Sequence, residues 1–201
     1  MTCTDSPSSD ATEGKTTVLV VDDDEDLAET YALWLGNEYD VWVVDDGEAA
    51  LERYGPAVDV VLLDRRMPSV SGDEVARELQ ARDASCPVAI VTAVGPAFDL
   101  LDVPFDEYLL KPVDRETVVG TVERLAALAD LGDERVREYY ALRSTLTVLE
   151  RLEYRDADAN DQLQRLRSRL RRKREAARAG LDEETEAALP IDLLPPSEME
   201  P

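Results

Sequence analysis

The sequence predicts an α/β fold built on a doubly wound parallel sheet. Two observations carry that reading. Short apolar runs alternate with amphipathic segments five times between Thr17 and about residue 130. Polar residues stand at or just past the C-terminal end of four of the runs. They are Asp22 and Asp23 after Thr17–Val21, Asp64 after Asp59–Leu63, Thr92 after Val88–Val91, and Lys111 after Glu107–Leu110. If the runs pair as neighbouring parallel strands, these residues gather at one carboxyl edge, where open α/β sheets bind ligands. Three carboxylates, one hydroxyl and one ammonium suit a hard cation and a phosphoryl group.

The elements follow in order. Thr17–Val21 reads as a buried strand. Residues 25–35 place Leu27, Ala28, Tyr31 and Leu35 at helical spacing with Trp34 beside them, and Gly36-Asn37 ends that helix. Tyr39–Val44 is the second strand. Asp46 caps a helix through Tyr54, which Gly55-Pro56 stops. Asp59–Leu63 is the third strand, and Ser71 or Asp73 starts a helix through Ala81. Pro87–Val91 and Asp106–Leu110 are the fourth and fifth strands. Pro96 and Pro104 make the helix between them short or irregular. Asp114 caps a helix with Val118, Val122 and Leu125 on one face.

Composition narrows the function. A chain of 201 residues allows one ordinary domain plus an appendage, or two small domains. No apolar stretch is long enough for a transmembrane helix, and the first sixteen residues lack a signal-peptide core, so a cytoplasmic protein is expected. The absence of histidine excludes His-ligated zinc, Ser-His-Asp catalysis and histidine phosphotransfer within the chain. Cys3 and Cys86 are too few for a disulfide framework. Gly14-Lys15-Thr16 is not a phosphate-binding loop: residue 9 is serine where that motif needs glycine, and a strand follows instead of preceding it.

The net charge is −23, with 19 arginines to 3 lysines. A surface this acidic and lysine-poor resembles proteins of a salt-loaded cytoplasm. At about 1 M salt the Debye length is only about 3 Å, which screens the self-repulsion. The charge is uneven: residues 1–132 carry 29 acidic and 9 basic groups, and residues 133–201 carry 16 and 13. A compositional break near Gly132 follows.

Four motifs stand in order on the five-fold pattern: Val-Leu-Val-Val-Asp-Asp-Asp at 18–24, Val-Val-Leu-Leu-Asp-Arg-Arg-Met-Pro at 60–68, Ile-Val-Thr-Ala at 90–93 and Tyr-Leu-Leu-Lys-Pro at 108–112. Each alone is weak. Together they make residues 17–130 resemble a response-regulator receiver domain, the phosphoacceptor half of a two-component system. The resemblance implies a flavodoxin-like sheet of order 2-1-3-4-5 and phosphorylation of one aspartate by a sensor histidine kinase. It makes Asp64 the phosphoacceptor, with Mg²⁺ held by Asp23 and Asp64 directly, by Asp22 through water and by the Arg66 carbonyl. Lys111 and Thr92 then meet the phosphoryl oxygens, Tyr108 is the switch aromatic, and Lys111-Pro112 is a cis peptide. Two departures stand out. Only 18 residues separate Thr92 from Lys111, a few fewer than is usual. Arg65 and Arg66 follow Asp64 where many relatives are uncharged, which puts a bulky cation beside the phosphoryl group or simply compensates the acidic pocket.

Beyond Asp133 the chain reads as helical. Tyr139, Leu142, Leu146, Leu149 and Leu152 form one stripe; Leu163, Leu166 and Leu170 form a second. Cap-forming residues between them suggest an αα-hairpin, with one long coiled-coil-like helix as the alternative. The segment loosely resembles the HalX domain that follows receivers in haloarchaeal regulators. The domains are therefore read as an arm at 1–16, a receiver at 17–130, a helical output segment at 133–180 and a largely disordered tail at 181–201. The second helix is rich in arginine from Arg165 to Arg178. Two functions fit it. It is an interaction module, pairing with acidic groups such as Glu150, Glu153 and Asp156, with the receiver, with another protein or with a second copy. Alternatively it serves a DNA-binding transcriptional regulator. The first is favoured, because phosphate contacts weaken steeply with salt and no nucleic-acid-binding motif is present.

Overall fold

The computed structural model describes residues 15–82, 86–94, 103–150 and 157–180. The expectations for the N-terminal arm before Lys15, the segment around Pro96, Leu152, Glu153, Asp156, the side chain of Arg178 and the tail beyond Gly180 fall outside the described residues.

Five parallel strands form one sheet of order β2-β1-β3-β4-β5, as the resemblance implied. They are β1 (Thr17–Val21), β2 (Asp40–Val44), β3 (Val60–Leu63), β4 (Val88–Thr92) and β5 (Glu107–Leu110). The helices are α1 (Glu25–Leu35), α2 (Gly47–Arg53), α3 (Gly72–Ala81), α4 (Arg115–Leu131), α5 (Glu134–Glu150) and α6 (Ala157–Gly180). Every residue of β1, β3 and β4 is buried, because central parallel strands are covered on both faces. The pleat sends alternate side chains to opposite layers. Val18 and Val20 pack with Tyr31 of α1 and Val122 of α4. Leu19 and Val21 pack with Val75 and Leu79 of α3.

Polar residues set the helix starts. Asp24, Asp46 and Asp114 each accept a hydrogen bond from the backbone N–H three residues on, at 3.1, 2.7 and 2.9 Å. Such caps are worth about 1 kcal/mol each. Ser71, not Asp73, caps α3, in a reciprocal box with Glu74. Gly36 closes α1 in a right-handed conformation at φ −61°. The left-handed glycine is Gly132, at φ 62°, which ends α4 where the charge balance changes.

The hydrophobic core does not stop at Gly132. Val136, Tyr139 and Tyr140 of α5 and Ala177 of α6 are at most 2% exposed and join the layer formed by α1, α4 and the sheet. Farther along, Leu146 and Leu149 meet Leu163 and Leu166, so the two stripes pack against each other as an antiparallel hairpin. Ion pairs reinforce both contacts. Arg137 forks onto Asp106 at 2.7 and 2.8 Å, just ahead of β5, and donates to the Cys86 carbonyl at 3.0 Å. The Tyr140 hydroxyl donates to Glu107 at 2.5 Å, and Arg124 binds both. Within the hairpin, Arg167 pairs with Glu150, and Lys173 with Glu138.

Burying Val136, Tyr139 and Tyr140 contributes roughly 4–9 kcal/mol in all, comparable with the whole stability of a domain. A chain ending at Gly132 loses this and keeps the strongly acidic part. Its urea midpoint is expected to fall sharply and to recover only partly in concentrated KCl; an unchanged midpoint would show the hairpin to be a passive appendage.

Candidate functional site

The order of the strands opens the site. The chain leaves β1 toward one edge and β3 toward the other, so a crevice forms where their C-terminal ends part. Register then brings the polar residues together. Val21 stands beside Leu63, and the Asp64 N–H donates to the Val21 carbonyl at 2.8 Å, which sets Asp22 next to Asp64. Thr92 stands beside Leu110, and the Lys111 N–H donates to the Thr92 carbonyl at 2.8 Å.

At the centre the Lys111 ammonium donates to Asp22 Oδ2 at 2.7 Å and to Asp64 Oδ1 at 2.8 Å. The second oxygen of Asp64 accepts the Arg66 backbone N–H at 2.5 Å. Asp22 is 2% exposed and Asp64 6%. Carboxylates buried this deeply need a partner charge. Burial pushes the Asp22 carboxyl above its ordinary range against the pull of Lys111. Burial acts to depress Lys111, but the hydrogen bonds it donates to Asp22 and Asp64, and the charges of those two carboxylates, outweigh it and raise its pKa. Asp23, the next residue along the chain from Asp22, is exposed. Thr92 is buried, and its Oγ1 accepts the Val94 N–H at 3.3 Å. Tyr108 lies inward, its hydroxyl donating to the Val94 carbonyl at 2.6 Å and its ring against Phe105. The Lys111-Pro112 peptide is cis.

Three features escaped the sequence reading. Arg65 is buried, and its guanidinium forks onto Asp73 of α3 at 2.9 and 3.0 Å. Gly72 donates its N–H to the Arg65 carbonyl at 3.0 Å, and a Cβ there would lie 2.1 Å from the Asp64 carbonyl oxygen. Only glycine permits that approach of α3 to the acidic loop. Ser69 holds φ 66°, a conformation that costs a residue with a side chain about 1–2 kcal/mol. The sole forewarning was the opposite charges of residues 65 and 73 flanking a Ser-Gly helix start. Elsewhere, burial pushes the Cys86 thiol up to about 12, so it stays protonated and is no nucleophile.

Mg²⁺ takes hard oxygen ligands, uses one or two carboxylates and keeps several waters. Asp22 and Asp64 supply two adjacent buried carboxylates, and Asp23, next in the chain to Asp22, is exposed. No cluster of three such ligands converges among the described residues. The residues fit a partly hydrated Mg²⁺ and not a fully protein-caged ion.

The doubly wound sheet carries an acidic, lysine-bridged crevice at its switch point. The model of the response regulator receiver domain matches residues 18–123, and the chain belongs to that family. A Haloferax volcanii protein named "Putative transcriptional regulator" is 47% identical over 173 residues, which cover 86% of this chain and 28% of that protein. The "Sensory transduction protein RegX3" of Mycobacterium tuberculosis is 38% identical over 124 residues, 59% of this chain and 53% of that one. The chain thus spans about half of that relative, and less of the first. The crystal structure of the response regulator TrrA from Thermotoga maritima in complex with Mg²⁺-BeF is 29% identical with a TM-score of 0.50, covering 55% of this chain and 98% of that one. No helix among the described residues is long and apolar enough to cross a membrane.

The raised pKa of Asp22 has a consequence for stability. The folded chain holds that proton more tightly than the unfolded chain does. Stability is therefore lost as pH rises from the ordinary carboxylate value through the raised one. Asp22→Asn, which leaves Lys111 paired with Asp64, is expected to raise the melting temperature by a few degrees at pH 7. The gain should shrink as pH is lowered toward 4 and the wild-type carboxyl takes up its proton. Melting curves at the two pH values check it; a lowered melting temperature at pH 7 would contradict it.

Proposed function

We propose that this chain is a cytoplasmic, salt-adapted response regulator that accepts a phosphoryl group on Asp64 from a sensor histidine kinase and signals through its helical hairpin. The observation that carries the reading is the Lys111 ammonium held between Asp22 and Asp64 at the switch point of a receiver fold. One Asp64 carboxylate oxygen attacks phosphorus and forms an O–P bond. The bond from phosphorus to the donor's leaving group breaks, and the leaving group keeps that electron pair and takes a proton from solvent. Lys111 balances the charge of the phosphoryl oxygens as a compact cation. Thr92, whose oxygen accepts the Val94 N–H, keeps its own hydroxyl proton to donate to a phosphoryl oxygen. Asp22, Asp23, Asp64 and the Arg66 carbonyl are the groups for Mg²⁺, which supplies charge neutralisation at the oxygens when bound. Tyr108, joined to the loop after Thr92 through Val94, relays its position to β5. The chain needs no turnover of its own substrate in this role.

The hairpin of 133–180, HalX-like in pattern and order, serves as the output element beyond the receiver at 17–130. Its ion pairs Arg167–Glu150 and Lys173–Glu138 support an interaction module. A second reading, DNA binding, draws on the name of the Haloferax relative and on Arg169, Arg171 and Arg172, which are exposed.

Incubation with a small phosphodonor and Mg²⁺ is expected to label wild type at one residue, and Asp64→Asn not at all. Stoichiometric labelling of that variant would defeat the assignment. In a Mg²⁺ titration, Asp23→Ala should lose more affinity than Asp22→Ala, since Asp23 is assigned direct contact and Asp22 contact through water; equal losses would contradict the division. A gel-shift series in rising salt decides the output. The interaction module predicts no DNA retardation beyond the low-salt range, whereas retardation abolished by replacing Arg169, Arg171 and Arg172 with serine would establish the DNA reading.

A further inference from the structure

The Asp64 loop is tied to α3 more tightly than a simple turn requires. Its backbone is joined by the Gly72 N–H to the Arg65 carbonyl at 3.0 Å. Its side chains are joined by the two-pronged Arg65–Asp73 pair, at 2.9 and 3.0 Å, with side chains 9% and 20% exposed. A planar guanidinium on a carboxylate fixes orientation as well as distance, which a lysine cannot do. Asp73 in the first turn of α3 would favour the helix dipole without Arg65. Arg65 could likewise reach solvent, as Arg66 does. Instead the pair spans the loop that contains the left-handed Ser69. On either side of Arg65 stand the groups that matter: Asp64 itself and the Arg66 N–H that binds Asp64 Oδ2.

From this geometry we infer that Arg65 and Asp73 form a positioning clamp for the phosphoacceptor. The clamp holds the Arg66 main chain against the Asp64 carboxylate, so that Oδ2 is oriented by a backbone donor and Oδ1 by Lys111. On this reading the arginine after Asp64 acts through α3. This inference rests on the reading of Asp64 as the acceptor.

The test compares wild type with Asp73→Asn, Arg65→Lys and the exchange Arg65→Asp with Asp73→Arg, using acetyl phosphate with Mg²⁺. Two quantities are read on folded protein: the maximal labelling rate against the half-saturating donor concentration, and the amide proton shift of Arg66 by NMR. Asp73→Asn should lower the maximal rate tenfold or more with little change in half-saturation, and move the Arg66 amide upfield as its bond to Asp64 loosens. Arg65→Lys, which keeps the charge and loses the fork, should fall between. The exchange should recover part of both signals. Variants that merely melt earlier, with maximal rate and Arg66 shift unchanged, overturn the clamp. Failure of wild type to label would overturn the acceptor reading instead, and the Arg66 shift, which needs no phosphodonor, would still judge the clamp.

Discussion

The rest of the site depends on one ammonium between two buried carboxylates. Asp22 and Asp64 arrive from β1 and β3, neighbours whose register forces their acids together. Without Lys111 two like charges would share a space nearly closed to water, at a cost of several kcal/mol for each unpaired ion. Lys111 comes from the far side, beyond β5, so the pairing joins the sheet's centre to its edge. Even so, Asp22 keeps a raised pKa. The fold carries an electrostatic strain there, which a bound cation or a phosphoryl group with its own cation would change. Such a site is costly for stability and useful for chemistry, as functional sites commonly are.

β5 carries the consequences outward. Within the six residues from Asp106 to Lys111, β5 and its flanks meet the hairpin through Asp106 and Glu107, the loop after β4 through Tyr108, and the acidic pocket through Lys111. The hairpin is no loose attachment, because Val136, Tyr139 and Tyr140 are part of the same core as α1 and α4. Packed and hydrogen-bonded groups therefore connect the pocket to α5. Detaching the hairpin would forfeit burial worth a large share of the stability of the fold. Shifting or tightening the hairpin would cost far less than releasing it.

The arginine-rich helix takes a different meaning from its surroundings. As a charge run it is compatible with nucleic acid or with acidic protein. In the fold, Arg167 and Lys173 neutralise glutamates of α5, and Leu163 and Leu166 face inward. Part of the charge that looked available for a partner is spent within the hairpin. Among the described residues, Arg165, Arg169, Arg171 and Arg172 remain exposed, Arg165 in an ion pair with Asp161 of its own helix.

By itself the sequence determined the strand order's raw material, the helix starts and the identity of the pocket residues. The reason is local. Apolar runs, capping aspartates and polar residues at strand ends are each readable within a few positions. The two leucine stripes of the tail were legible for the same reason. Only the tertiary structure decided what distant residues do to one another. It paired Arg65 with Asp73, made Gly72 the point where α3 touches the Asp64 loop, and sank Val136 and Tyr140 into the receiver across an apparent compositional boundary. These outcomes depend on where two segments meet in space. A side chain's partner is set by the nearest opposite charge or cavity after packing, and neither spacing nor composition along one chain carries that distance.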